Sequence, residues 1–335
     1  NMIINGAMQV AQRGTTGNAV QFGGYPICDR WRAQLDNASQ ATWTQETSGG
    51  PSGFRNYFKW NVDSADASVA TASNVYLNQR LEGLDLQGLG YGTSSAKSIT
   101  MSFYVKSNRT GTYVLELHNL DSSRHVARTY TIDTSDTWEY KTITFPADTT
   151  GTFNNDNGES LRIKWWLQAG TNFTSGTLAT TWAAQSNPNA AAGQSVNLHD
   201  DAGANWNITG VQLEVGSKST PFEHRSYGEE LALCQRYYYQ TPSHYHFLHK
   251  NGYYESQLFY FPTTMRSTPS VTLPTPLLRR VDGSSDTSYH GLATTSYTAG
   301  FFITSTTTNT TLLYTWILSV AITEDQELTK CITIL

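Results

Sequence analysis

Residues 98–107 alternate without a break: Ile99, Met101, Phe103 and Val105 are apolar, while Thr100, Ser102, Tyr104 and Lys106 are polar or amphipathic. Successive side chains of an extended strand point to opposite faces, so a period of two predicts a strand buried on one side. The turn signal Asn108-Arg-Thr-Gly111 follows, and the next segment sets Tyr113, Leu115 and Leu117 against Val114, Glu116 and His118. Val126–Ile132 and Trp138–Phe145 flank the turn-like Asp133-Thr-Ser-Asp136. Leu161, Ile163, Trp165 and Leu167 then alternate with Arg162, Lys164, Trp166 and Gln168. Strands at near-regular spacing, separated by turns, predict a β-sandwich.

The chain has 335 residues, more than one ordinary domain needs, and its 38% hydrophobic content suffices for a core. Ser226 and Glu229 have capping-box spacing ahead of Leu231–Cys234, which predicts one short helix. Residues 1–225 are therefore expected to form the first β-domain, 226–240 a helix and linker, and 241–335 a smaller β-domain. That last region holds the candidate strands Tyr254–Phe261, Ala299–Thr304 and Leu312–Ile322. Ser48–Gly53 and Ser186–Gln194 lack periodicity and are expected to be surface loops.

Several function classes fit poorly. With 22 Lys and Arg against 27 Asp and Glu, the chain lacks the basic balance that phosphate backbones demand, so no nucleic-acid partner is expected. Leu312–Ile322, interrupted by Thr315 and Ser319, falls well short of the roughly 20 residues of a membrane-spanning helix, so no membrane insertion is expected. Cys28, Cys234 and Cys331 are odd in number and far apart, which favours buried thiols over a disulfide framework. There is no phosphate-binding Gly-rich loop, nucleophile elbow or HExxH, and Glu116 and Asp121 do not mark a catalytic pair, so no enzyme activity is expected.

Asn5-Gly-Ala-Met-Gln-Val-Ala-Gln-Arg-Gly14, with Cys28-Asp-Arg-Trp31 downstream, resembles the start of jelly-roll modules found in tail fibres and other virion proteins of marine and cyanobacterial phages. Ile208-Thr-Gly-Val-Gln-Leu-Glu-Val-Gly216, Thr220-Pro-Phe-Glu223 and Glu230-Leu-Ala-Leu-Cys-Gln-Arg-Tyr-Tyr238 resemble that group's closing strand and exit segment. The resemblance covers roughly residues 1–240, and Phe261-Pro-Thr-Thr-Met-Arg-Ser-Thr-Pro-Ser270 is similar to phage fibre C-termini. It implies an all-β chain: an N-terminal jelly roll like a carbohydrate-binding module, joined by the short helix to a smaller C-terminal β-sandwich. It also implies an extracellular virion location on a tail or head fibre, assembly as a homotrimer with the Ser226 helix on the axis, and contact with other virion proteins. The host ligand would be a surface glycan, most simply a polysaccharide, or an outer-membrane receptor. Because position 1 is Asn and Met2 lies inside the first motif, an upstream anchoring segment is expected. The alternative is a capsid or head-fibre decoration protein with a purely structural role; a depolymerising tailspike fits less well, since no solenoid repeat is visible.

A glycan site needs a flat aromatic for the apolar face of a sugar and polar groups for its hydroxyls. Tyr104, Lys106, Glu116, His118, Arg162, Lys164 and Trp166 would converge if their strands share a sheet with these faces outward, Trp166 being the central anchor. Against this, Trp166 would pack beneath a loop or a neighbouring chain. Trp31, Trp138 and Trp165 are expected in the core. In the C-terminal region, Tyr237, Tyr238, Tyr239, Tyr245, Tyr253 and Tyr254 suit a recognition surface or interchain packing, and the loop Arg279–Ser285 offers a separate contact. His244 and His246 alternate on one strand face; on a threefold axis they resemble the metal-binding pairs of phage fibre tips and would hold one structural metal ion, no other cofactor being expected. Asn154-Asn-Asp-Asn-Gly-Glu159 has oxygen ligands for calcium but misses the EF-hand spacing, so a turn is expected.

Overall fold

The alternating segments become two stacked antiparallel sheets in a computed structural model that describes residues 1–19, 22–66, 68–240, 256–270, 278–279, 285–286 and 292–305. The first part of the chain contains β1 (Thr16–Ala19), β2 (Phe22–Gly24), β3 (Arg32–Asp36), β4 (Ala41–Glu46), β5 (Tyr57–Val62), β6 (Asn74–Glu82) and α1 (Gly83–Leu86). It continues with β7 (Ile99–Ser107), β8 (Gly111–Asn119), β9 (Arg124–Ile132), β10 (Glu139–Phe145) and β11 (Glu159–Ala169). There follow α2 (Thr171–Thr174), β12 (Ala183–Ala184), β13 (Asn205–Val215) and α3 (Tyr227–Gln235). Two units are distinguished, Asn1–Glu230 and Leu231–Leu335.

In the first unit one sheet has the order β1-β4-β5-β13-β7-β10 and the other β12-β9-β8-β11-β6-β3-β2. The four strands β5-β13-β7-β10 face β6-β11-β8-β9, which is jelly-roll connectivity. Ile99, Met101, Phe103 and Val105 of β7 are fully buried, as are Tyr113, Leu115 and Leu117 of β8 and Ile163, Trp165 and Leu167 of β11. Trp31 packs on Trp165 at 5.5 Å between ring centres and Trp43 meets Trp60 edge-on at 5.3 Å, so large aromatics fill the space between the sheets. Burying each such side chain contributes roughly 1.5–3 kcal/mol. Trp138 is a correction: it lies half-buried outside this core.

Parity along β13 changes at Gly210. Trp206 and Ile208 point into the core before it, Val211 and Leu213 after it, and the pairing with β7 slips by one residue between Thr209 and Gln212. Gly210 has φ +61, the left-handed conformation that a bulge asks of glycine. Beyond this bulge β5 no longer pairs with β13, and the N-terminal segment takes its place. Met2 N donates to Leu213 O and Val211 N donates to Gly6 O, each at 3.0 Å. On the opposite side Gln79 of β6 clasps Ile4, accepting from its N–H at 3.0 Å and donating to its carbonyl at 2.9 Å.

Asn5 sits at the centre of this closure with φ 58 and no exposure. Its amide donates to Val10 O and Asp29 O at 2.8 and 2.9 Å, and its side-chain oxygen accepts from Val10 N at 3.0 Å. Trp31 Nε1 donates to Asn5 O at 2.9 Å, and Asn5 N donates to Glu230. The opening motif, Cys28–Trp31 and the exit segment are thus joined through one residue. Ser226 Oγ accepts from Glu229 N at 3.3 Å while Glu229 accepts from Ser226 N at 2.9 Å, forming the capping box of α3.

In the second unit β14 (Ser256–Tyr260), β17 (Leu292–Tyr297) and β18 (Gly300–Ser305) form a sheet ordered β14-β18-β17, and β15 (Leu278–Arg279) and β16 (Ser285–Asp286) form a separate pair. Tyr237 and Tyr238 are buried within the chain, and the ring of the partly buried Tyr239 meets Phe261 at 6.3 Å. Tyr260 and Tyr297 of this sheet are exposed, both opposite Gly300. His244, His246, Tyr245, Tyr253, Tyr254 and Leu312–Ile322 lie outside the described residues.

Asn5→Ala removes three buried hydrogen bonds and puts alanine in the left-handed region, so it is expected to cost about 3 kcal/mol or more. Calorimetric unfolding measures this; a midpoint within a degree or two of the parent's would contradict the closing role of Asn5.

Candidate functional site

The seven-stranded sheet carries five of the seven predicted glycan residues on its outer face, in ordered rows. Lys164 lies between Asn78 and Glu116, Arg162 between Arg80 and His118, and Trp166 between Tyr76 and Val114. This face is covered. Trp166 is 1% exposed, packed with Val114, Ala127, Ala190 and Ala191, and its ring centre lies 5.3 Å from that of Phe173. Ser186–Gln194, expected to be a surface loop, buries Ala190, Ala191 and Ala192 as it crosses the sheet.

Glu116 is fully buried beneath this cover. It accepts from His125 Nδ1 at 3.0 Å, Lys164 Nζ at 3.1 Å and Trp166 Nε1 at 3.0 Å. Burial by itself would push its carboxyl up, but Lys164 and the hydrogen bond from His125 overcome that and hold it at about 2. His118 is pushed down to about 4 by burial and by Lys164. Arg162 Nε and Nη2 bond Glu159 at 2.6 and 2.9 Å. Glu116, Lys164 and Trp166 are therefore occupied with one another, and a sugar finds no free ring face on Trp166: the expectation that it anchors ligand is corrected. Asn154–Glu159 is a turn, in which Asp156 accepts from Gly158 N at 2.8 Å and Asp121 from Asn154 N at 2.9 Å.

Tyr104 and Lys106 lie on β7 in the other sheet, so the predicted set does not converge. Their outer face carries a trough of about 510 Å³. The ring of Phe54 stands 5.4 Å from Tyr104, 4.9 Å from Phe222 and 5.2 Å from His224, and Tyr104 stands 4.9 Å from Tyr140. Tyr140 is 46% exposed, and Ser102 lines the trough beside Tyr104. Among the described residues no protein hydrogen bond occupies the hydroxyls of Ser102, Tyr104 or Tyr140 or the His224 ring nitrogens. Ring faces and unused donors and acceptors thus meet in one concavity of a size suited to a small-ligand site.

The backbone motifs build this trough. At Gly210 an added Cβ would lie 2.7 Å from the Phe54 ring, so glycine lets that ring settle on the sheet. Gln212 accepts from Glu223 N at 2.8 Å and Glu214 accepts from Thr220 N at 3.0 Å, which folds Thr220–Glu223 back over β13 and brings Phe222 against Phe54. The sequence reading missed Phe54, Tyr140, Phe222 and His224. Tyr140 was legible, since it alternates onto the polar face of its strand, where it pairs directly with Tyr104. Phe54, Phe222 and His224 are on segments without periodicity.

No family model and no curated protein matches this chain. Among solved structures it is similar to the enzymatically active domain of bacteriophage CBA120 tailspike protein 4, at 12% identity and a TM-score of 0.31, over 64% of this chain but only 21% of that one. It is similar to a putative sugar binding protein from Bacteroides thetaiotaomicron at 12% identity and a TM-score of 0.33, over 64% of this chain and 99% of the other. A CBM4 structure shows 12% identity and a TM-score of 0.29, covering 64% and 99%. The chain thus spans about a fifth of the tailspike, and likenesses this distant transfer no ligand or activity to it. The class rests on this chain's own topology: an all-β protein with a jelly-roll sandwich.

Buried histidines make stability pH-dependent. His199 accepts from Trp60 Nε1 at 3.0 Å, and burial pushes it down to about 4. The unfolded chain protonates His118 and His199 near 6.5, well above their folded values, so stability present above pH 6.5 is lost as pH falls toward 4. Glu116 adds a loss between its ordinary 4.5 and about 2. The urea midpoint is expected to fall between pH 7 and 4.5, and His199→Gln should flatten that dependence by up to about 1.4 kcal/mol per pH unit. An unchanged slope would show that His199 is not held neutral.

Proposed function

We propose that this chain is a non-enzymatic glycan-binding protein of a phage fibre, and that the trough lined by Phe54, Tyr104, Tyr140 and Phe222 receives a host surface polysaccharide. The observation carrying this reading is the juxtaposition of aromatic rings with unused hydroxyls on a rigid sheet. Rings stack on the C–H face of a pyranose while hydroxyls and imidazole exchange hydrogen bonds with its edge. Fibre identity is supported by the motifs around Asn5, Gln212 and Arg236. Homotrimeric assembly on a virion fits the same reading, because several copies compensate a weak single site by avidity.

Glycan arrays and affinity electrophoresis against host polysaccharide test the proposal. Tyr140→Ala is expected to weaken binding about three- to tenfold, the effect of losing roughly 0.5–1.5 kcal/mol of stacking, with the unfolding midpoint unchanged. Polymer length should be unchanged on prolonged incubation. Full retention of binding by a folded Tyr104→Ala/Tyr140→Ala variant would remove the trough as the site, and shortened polymer would make the chain a depolymerase.

A further inference from the structure

The chain carries a net charge of −5, yet no residue lining the trough is Asp or Glu. One row further along β7, about 7 Å from Tyr104 by strand geometry, stands Lys106. Its Nζ lies 5.4 Å from the centre of the Tyr57 ring and 5.0 Å from that of Trp138. Those two rings meet edge-on at 5.1 Å, and Trp138 Nε1 donates to Gly49 O at 2.9 Å, so the indole is fixed in place. Among the described residues no oxygen accepts from the Lys106 ammonium.

Four other lysines of the described residues differ. Lys59 faces Glu46 at 3.9 Å, Lys141 faces Glu139 at 2.6 Å, Lys164 faces Glu116 at 3.1 Å, and Lys97 donates to Gly88 O at 3.0 Å. Ring faces attract the Lys106 charge but accept none of its N–H bonds in the manner of a carboxylate, so the ammonium is held in position with its donors unused. Lys218, next in sequence to Ser219, is also exposed and forms no ion pair among the described residues, and Arg55, next to Phe54, forms none either, its Nε donating to Thr47 O at 3.2 Å. The acids adjacent in sequence to lining residues are already paired, Glu223 with the N-terminal ammonium at 3.1 Å and Glu139 with Lys141 at 2.6 Å, so the Lys106 charge is not offset by them.

We infer that the ligand is an anionic polysaccharide, bearing carboxylate or sulfate, and that Lys106, held by Tyr57 and Trp138, receives its charged group while the trough stacks the neighbouring sugar. This rests on the glycan reading and specifies its ligand class.

Calorimetric titration of the whole chain with polygalacturonate, with the same polymer after reduction of its carboxylates to alcohols, and with dextran sulfate beside dextran tests both anion types. Wild type is expected to bind an anionic member at least tenfold more tightly than its neutral counterpart, and the preference should shrink as salt is raised. The pair that shows the preference identifies carboxylate or sulfate. Lys106→Gln should reduce the ratio to about threefold or less, and Lys106→Arg should keep it. Equal binding of charged and neutral polymers, or an undiminished ratio in folded Lys106→Gln, overturns the anionic inference and leaves the glycan reading standing. Binding to no polysaccharide, or tighter binding to a single-stranded DNA oligomer, overturns both.

Discussion

The closure at Asn5 is the interaction on which the first unit depends. A jelly roll whose last strand inserts between β5 and β7 has an open seam wherever its neighbours end, and every unpaired amide along that seam must find a partner. The N-terminal segment supplies those partners, and Asn5 holds it in a left-handed turn through its own side chain. Gly6 is forced by the same geometry: a Cβ there would lie 2.1 Å from Val211 O. Segments far apart in sequence are thereby tied at one point, so the seam closes only when all are present.

The bulge at Gly210 links this closure to the candidate site. It restores the inward direction of Val211 and Leu213, gives the Phe54 ring a flat seat, and sets Gln212 and Glu214 to pin Thr220–Glu223. The trough is thus a consequence of how the sandwich is closed. Its rings sit on sheet and pinned backbone, which limits the ordering cost that a flexible loop would add on binding.

The two outer faces show what a polar strand face can become. On the seven-stranded sheet Glu116 accepts from three donors, Arg162 meets Glu159, and a crossing segment buries Trp166. On the six-stranded sheet rings remain accessible and the Lys106 ammonium lies against the rings of Tyr57 and Trp138. Identical alternation in sequence leads to a buried Glu116 network in one case and an open trough in the other.

The period-two pattern of 98–107, 113–118 and 161–168 determined strands, their inward faces and an all-β class, because burial of one face leaves a strand no other register. Capping-box spacing determined α3. Which strands share a sheet was decided by tertiary pairing: β7 lies in one sheet and β8 and β11 in the other, so Tyr104 and Lys106 part from Glu116, His118, Arg162, Lys164 and Trp166. Alternation states which side of a strand is inward but not what covers the other side, and therefore Trp166 and Tyr104 looked alike. Phe54 reaches the trough by seating on the bulge at Gly210, and Phe222 and His224 through a segment that Gln212 and Glu214 fold back on β13, contacts that no periodic pattern records.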